Sequence, residues 1–327
     1  MVSILMPAYN SADFISETLH SVLSQSFADF ELIIIDDCST DNTVAVIKTF
    51  KDPRIKFYQN QANVGYCRNM RSCSKLASGD IIYLMADDDI MAKDALKTTC
   101  GYFSDLEIGA VTRAYYWFDD DINKPVRAKQ QLNPSQDEVV RVYTLRHERV
   151  IRVFQTLDQL SGLAMRRKFI EADFHDDIFT CHIYPFVSIF KKHPVVFLKD
   201  YTIAVRIKSS QTRKLSHIYD KSPMQSWVDM VDSVLPEHSY LIKDFIAMNY
   251  VGLAQIRNYS KFRNTLREIY LLVKYRPKNL LTPSFWLFAL GAIIIPPFLL
   301  KPLVDWYKNN INSKRITHVN FKSWGRG

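Results

Sequence analysis

The chain has 327 residues, 47% of them hydrophobic and only nine of them glycine, and a net charge of +8. That length allows one large domain or a domain with an appendage, and that composition excludes a disordered, low-complexity or collagen-like chain. The charge is uneven. Aspartates cluster in the first hundred residues, whereas from Lys261 onward the chain is basic, through Arg263, Arg267, Lys274, Arg276, Lys278, Lys301, Lys308, Lys314, Arg315, Lys322 and Arg326. Such an end suits an anionic surface, either nucleic acid or the inner face of a membrane.

The first hundred residues alternate strands with helices. "VSILM" is too short for a signal peptide and reads as a first buried strand. Ser11 to Ser24 has helical spacing, with Phe14, Ile15, Leu19, Val22 and Leu23 on one face. "FELIIID" is a second buried strand, ended by the turn "DDCSTDN", and a helix follows through Val44, Ile47 and Phe50. "IKFYQN" is a third strand, "NVGYCRNMRSCSKLA" opens a third helix, and "IIYLMA" is a fourth strand that runs into Asp87, Asp88 and Asp89. This alternation predicts parallel crossovers and a doubly wound, mostly parallel α/β sheet.

Further along, "GAVTRAYYWF" reads as a strand and "DDDINKPVRAKQQLNPSQDE" as a polar loop. "SGLAMRRKFI" reads as a strand leading into a helix, Ile183 to Lys192 as a helix, and "VVFLKDYTIAVRI" as one or two strands. From Met224 the pattern is helical. Phe285 to Leu300 is sixteen residues without charge, shorter than the roughly 20 that span a bilayer. The Pro296–Pro297 pair breaks or kinks it. With basic flanks and Trp286 and Trp306 at its margins, it suits monotopic or re-entrant insertion, the plainer alternative being a buried apolar hairpin. The expected division is a catalytic domain over 1–215, with halves 1–110 and 111–215, and a helical extension over 216–327.

The five cysteines, Cys38, Cys67, Cys73, Cys100 and Cys181, are odd in number and lack CxxC spacing. They read as free thiols in a reducing compartment, most of them buried, and argue against a zinc site.

Each distinctive polar cluster falls at a strand's carboxyl end: "PAYN", "DDCSTDN" and "ADDD". Doubly wound sheets bind their ligands there. Three adjacent carboxylates need a counter-charge, and carboxylates suit Mg²⁺ or Mn²⁺ bound together with a diphosphate. The alternative is a solvated turn or a helix N-cap. Asp36 and Asp37 end a strand where a carboxylate can accept from a base or ribose, while Ser39 or Thr40 suits a helix cap. Gly65 permits a tight turn, and Arg68 suits a phosphate contact or a surface ion pair.

In this order, "VSILMPAYN", "DFELIIIDDCSTDNT", "NVGYCRN" and "SGDIIYLMADDDIMAKDAL" resemble the inverting glycosyltransferases of family two, with the GT-A fold. "GLAMRRK" and "RIKSSQT" add weaker likeness. The resemblance covers about residues 1 to 110 well and 155 to 212 loosely. It implies transfer of a sugar from a nucleotide-diphosphate sugar, a UDP-sugar favoured, to a lipid-linked or polysaccharide acceptor. The transfer would be inverting and dependent on Mn²⁺ or Mg²⁺. The basic, membrane-seeking C-terminus suits a peripheral or monotopic place at the cytoplasmic face of the membrane.

Carried over position by position, Pro7, Ala8 and Tyr9 line the nucleotide pocket. Asp37 bonds the base, and Asn63 and Arg68 lie near the nucleotide. Asp87 and Asp88 stand at the acidic metal motif, with Asp87 also on the nucleotide side and Asp89 directly beside them. Ala86 stands where the family often has a further aspartate, so the metal ligand stays open among the three.

The family's Glu-Asp base pair is also missing. Asp177 and His182 are the alternatives, with Asp176 adjacent, because inversion needs a general base for the acceptor hydroxyl. Packed core histidine is the plainer fate of His182, and an N-cap that of the aspartates. Arg206, Lys208, Ser209 and Ser210 would close over the diphosphate, with Lys214 and His217 as further candidates. Rival readings are a catalytically degenerate GT-A protein, a nucleotidyltransferase, or a scaffold for nucleic acid or membrane. A nucleotidyltransferase calls for a glycine-rich basic loop after the first strand, which "PAYNSADF" is not. No recognised nucleic-acid-binding motif occurs.

Overall fold

The structure is a computed structural model that describes residues 1–143, 147–209 and 216–310. Two compact units divide the chain, the first spanning Met1–Ser209 and the second beginning at Ser210. The expected domain boundary at residue 215 lies outside the described residues.

The first unit is built on an eight-stranded sheet. Its leading half is parallel: β1 (Val2–Ala8) lies between β2 (Phe30–Asp36) and β4 (Ile81–Leu84), and β3 (Ile55–Gln59) forms the edge beyond β2. Nearly every residue of β1, β2 and β4 is buried. Apolar runs without alternation bury both faces, as parallel strands under helices do. Helices α1 (Ile15–Leu23), α2 (Thr43–Ile47) and α3 (Tyr66–Leu76) supply the crossovers. In register, Ala8 lies opposite Asp36, and Leu5 opposite Leu84. The chain therefore leaves β1, β2 and β4 at one edge of the sheet.

The mostly parallel expectation holds for the large sheet with two reversals, one inside it and one at its far edge. β10 (Ala164–Arg166) runs antiparallel to both β4 and β6 (Ala110–Arg113), and β11 (Val195–Leu198) returns parallel to β6. After β10 the expected helix reduces to a 3₁₀ turn at Arg167–Phe169. The stretch "GAVTRAYYWF" is two strands, β6 and β7 (Tyr116–Phe118), that join different sheets. A second, four-stranded sheet contains β5 (Ile90–Met91), β12 (Ile203–Arg206), β7 and β8 (Arg127–Ala128). β8, and β9 (Glu138–Val140) at the far edge of the large sheet, fall within or just beside the stretch that reads as a polar loop. Between the strands come α4 (Ala95–Gly101), α5 (His147–Thr156) and α6 (Ile183–Phe190). The first helix starts at Ile15 rather than Ser11, because Asn10 takes a left-handed turn (φ 49°) and Ser11 accepts from the amides of Phe14 and Ile15.

The second unit is helical: α7 (Pro223–Val234), α8 (Ser239–Ile246), α9 (Val251–Tyr259), α10 (Phe262–Tyr275), α11 (Pro283–Ile294) and α12 (Pro297–Asn310). The uncharged run is thus two helices parted at Ile295–Pro296. Among the described residues no helix is long and apolar enough to cross a membrane.

Candidate active site

The end of β1 is fastened to both neighbours through polar side chains. The Tyr9 amide donates to Asp87 Oδ2 at 3.0 Å. Asn10 donates to Ser39 Oγ at 2.9 Å and accepts from the Thr40 amide at 2.8 Å. Pro7, Ala8 and Tyr9 therefore sit between the "DDCSTDN" turn and the triple aspartate.

Asp37 is buried and works as a bracket. Its carboxylate accepts from Asn60 Nδ2 at 2.8 Å, the Val64 amide at 2.9 Å and the Gly65 amide at 2.8 Å. These bonds fix the turn at Gly65, whose φ of +85° suits glycine, and so fix the start of α3. Asn63 reinforces the turn by accepting from the same Gly65 amide at 3.0 Å. A carboxylate offers about four acceptor positions, so Asp37 keeps roughly one for a base. Its neighbour Asp36 accepts from the Ser39 amide through Oδ2, while its buried Oδ1 has no hydrogen-bond partner among the described residues. Arg68, one turn into α3, is exposed and makes no ion pair among the described residues.

The three aspartates are not equivalent. Asp87 and Asp88 are half-buried at the sheet edge. Asp89 is buried, and its carboxylate accepts from Ser161 Oγ at 2.6 Å and from the Arg206 amide at 3.0 Å. The expectation of Asp89 as a metal ligand is corrected: those bonds make it a strut that joins the acidic turn to β12. Burial, and then the charge of Asp88, pushes Asp87 up to about 7 and Asp89 up to about 8. The Tyr9 amide at Asp87, and Ser161, the Arg206 amide and the charge of Arg113 at Asp89, offset that burial only in part. Among the described residues no three His, Cys, Asp or Glu gather into a metal cage. Asp87 and Asp88 still fit Mg²⁺ or Mn²⁺ as hard oxygen donors, since such ions are commonly held by one or two carboxylates and shared with substrate phosphates.

Arg206 does not reach toward a diphosphate. Its guanidinium is buried between the rings of Phe14 and Phe118, at 5.1 and 4.5 Å, and donates to the Asp88 carbonyl at 3.0 Å and to Glu17. It is a cross-brace behind the acidic turn. Lys208 pairs with exposed Asp120, and Ser209 is buried. Ser210, Lys214 and the side chain of His217 lie outside the described residues, as do Lys314, Arg315, Lys322 and Arg326.

The two base candidates separate clearly. His182 is 6% exposed, and both ring nitrogens are engaged. Nε2 faces the Leu157 carbonyl at 2.9 Å, so it carries the proton and donates. Nδ1 then accepts from Tyr66 Oη at 3.3 Å. Burial holds it down at about 4. His182 is a packed core histidine, which corrects its candidacy as the base. Asp176 is exposed and pairs with Arg71 at 3.1 Å, while Asp177 is half-buried and accepts from the Phe179 amide at 2.9 Å. Arg71 also pairs with Asp173 at 3.4 Å and donates to the Phe174 carbonyl at 2.6 Å. The 173–182 segment is thus strapped along α3, the helix that carries Arg68.

Sequence reasoning missed Arg71 and Tyr66, which make that strap. It also missed Ser161 and Arg113. Ser161 holds Asp89 and accepts from the Ala86 amide at 2.9 Å. Arg113 is fully buried and donates to the carbonyls of Gln159, at 3.0 Å, and Ser161. Gly162 leaves it room, for a Cβ there would lie 2.7 Å from Arg113 Nε. A strand arginine and a loop serine carry no local signal. All five cysteines are free, and Cys67, Cys73 and Cys181 are buried.

The chain resembles known proteins in two ways. By sequence it is 39% identical over 97 residues to UDP-Glc:alpha-D-GlcNAc-diphosphoundecaprenol beta-1,3-glucosyltransferase WfgD of Escherichia coli, covering 30% of this chain and 38% of that protein. It is 31% identical over 107 residues to the poly(ribitol-phosphate) beta-N-acetylglucosaminyltransferase TarS of Staphylococcus aureus, covering 32% of this chain and 19% of that one. The matches thus span well under half the length of these relatives. By fold it is similar to S. aureus TarS 1–349 in complex with UDP (TM-score 0.64, 17% identity, 98% of this chain and 94% of that one). It is also similar to a mannosyltransferase from Pyrobaculum calidifontis in complex with GDP-Man and Mn²⁺ (TM-score 0.51, 16% identity, 90% and 86%). The family model described as Glycosyl transferase family 2 matches residues 3–174, more than half of the chain. With the parallel strands, the bracketed turns and the acidic edge that those residues build, the chain belongs to glycosyl transferase family 2.

Proposed function

We propose that the chain transfers a sugar from a nucleotide-diphosphate sugar, a UDP-sugar in the first instance, to a hydroxyl of a lipid-linked or polysaccharide acceptor, with inversion. The observation that carries this is the meeting of three polar turns at the carboxyl edge of β1, β2 and β4, with Asp87 and Asp88 half-buried among them. The WfgD and TarS names and the nucleotide complexes of the structural neighbours support the donor class.

In this reading Tyr9, Asp37, Asn63 and Arg68 frame the nucleotide. Asp87 and Asp88 face the diphosphate and would hold Mn²⁺ or Mg²⁺, which when bound neutralises charge on the departing diphosphate. Asp177 takes the proton from the acceptor hydroxyl as that oxygen attacks the anomeric carbon and the bond to the diphosphate breaks. Asp176, paired with Arg71, positions the segment that carries it. Asp177 replaces His182 in this role because a ring with both nitrogens engaged in the core cannot reach an acceptor. A lipid-linked acceptor would place the protein at the cytoplasmic face of the membrane.

The test is calorimetric titration with UDP, GDP, dTDP and CDP, with and without Mn²⁺, followed by nucleotide release from UDP-sugars. UDP binding that needs the divalent ion is expected. A folded protein that binds none of the four would sink the proposal.

A further inference from the structure

α11 breaks the usual pattern of a surface helix. Its inward face, Phe285, Ala289 and Ala292, is buried in the helical unit beside α9 residue Leu253. Its outward face is equally apolar, with Leu287 70% and Ile294 72% exposed. α12 repeats this. Leu300 and Val304 pack with Ala254 of α9, while Phe298 is 74% exposed and Trp306 also faces out. Phe288 and Tyr307 meet edge-on at 5.5 Å, so the two helices lie together against α9. α7, by contrast, turns the charged Asp229 and Asp232 outward, and on α10 the exposed Phe262, Leu266 and Tyr270 lie among Arg263 and Arg267 rather than on an uncharged run. A helix apolar on both faces calls for a second apolar environment.

The charges around these helices name the environment. From Leu280 to Leu300 there is no charged residue. The span Lys274 to Asn310 carries five Lys and Arg against the single acidic Asp305. Two copies of this face would set like charges together. Nucleic acid would find no cation along the apolar run. A bilayer with anionic headgroups suits both features, taking apolar side chains at its boundary and lysines at its surface. Trp286 and Trp306 are exposed with it, and indoles favour that boundary.

We propose that the outward faces of α11 and α12 dock on an anionic bilayer to interfacial depth. Depth is limited by length. α11 has twelve residues, about 18 Å at the helical rise, against a hydrocarbon core of roughly 30 Å. The break at Pro296 keeps α12 from extending it. This deepens the membrane-side acceptor proposed above, and vesicle binding is read without any activity, so either can fail alone.

The experiment is flotation of the full chain with phosphatidylcholine vesicles, with and without phosphatidylglycerol. It compares parent, Leu287→Asp/Phe298→Asp, and the control Tyr240→Ser, which alters an exposed residue of α8. Circular dichroism melts check that each variant folds. The parent should float with the anionic vesicles and keep part of its binding in high salt. The double variant should bind at least about tenfold more weakly, and the control as the parent does. A folded parent that does not float, or a double variant that floats equally well, would overturn the proposal. So would a concentration-dependent dimer, seen by light scattering and abolished by the same double substitution, which would assign the face to a second copy.

Discussion

Carboxylates at the two ends of the large sheet meet opposite fates. At the amino end Glu31 is almost wholly buried, which opposes its charge, yet it is held down at about 2. Lys56 pairs with it, the Ser3 hydroxyl donates to it, and Ser78 donates through its amide at 2.7 Å and its hydroxyl at 2.8 Å. At the carboxyl end burial and a neighbouring charge push Asp87 and Asp89 up instead. Both ends belong to the same parallel strands. The difference is that one end satisfies its acid with a lysine and a serine of the neighbouring strands and with Ser78 of the adjoining loop, while at the other end burial and acid–acid repulsion outweigh the donors present. A fold that keeps such repulsion where ligands bind is holding charge for a partner.

The sharpest ways to break this contrast act on turnover. Asp177→Asn should lower the transfer rate by about 10²–10⁴-fold and leave nucleotide affinity unchanged. Steady-state kinetics beside calorimetry separates the two, and near-normal turnover would remove Asp177 as the base. Asp88→Asn should abolish divalent-dependent nucleotide binding while the far-UV spectrum stays native. Full binding in that variant would assign the edge a purely structural role.

Smaller effects fall on stability. Glu31→Gln should cost roughly 2–3 kcal/mol in urea unfolding and leave nucleotide binding intact. Loss of binding by the still-folded variant would erase the division between the two ends.

The pH response should differ in sign. Asp87 and Asp89 keep their protons to about 7 and about 8 when folded, against 3.8 ordinarily. The folded state thus holds more protons, and without divalent ions stability falls as pH rises from about 4 to about 8. Glu31 acts the other way: its contribution is present above its ordinary 4.5 and is lost as pH falls toward 2. Melting temperatures should therefore drop on both sides, and Mn²⁺ should raise Tm by roughly 2–4 °C more at pH 8 than at pH 5. Equal shifts would count against an ion at Asp87. The smallest effect is expected of Arg206→Lys, about 1 kcal/mol, because an ammonium cannot reproduce the stacked, forked contacts.

The parallel core was readable because unbroken apolar runs such as "FELIIID" fit only strands covered on both faces. The polar turns were readable because such runs end abruptly. Roles within the turns were not. Asp88 and Asp89 are adjacent and chemically identical, yet one stays at the sheet edge and the other is buried against Ser161 and Arg206, which lie far along the chain. His182 and Asp177 likewise looked equivalent until Tyr66 and Leu157 closed around the imidazole.

By itself, then, the sequence determined the strand and helix alternation, the edge where the acids gather and the apolar stretch after Thr282. These arise from local periodicity and from where polar residues interrupt it. Only the tertiary structure decided the reversal of β10, the bracing role of Arg206, the burial of His182 and the outward exposure of Leu287 and Phe298. Each depends on a partner distant in the chain, and periodicity describes a residue's own neighbours, not what folds against them.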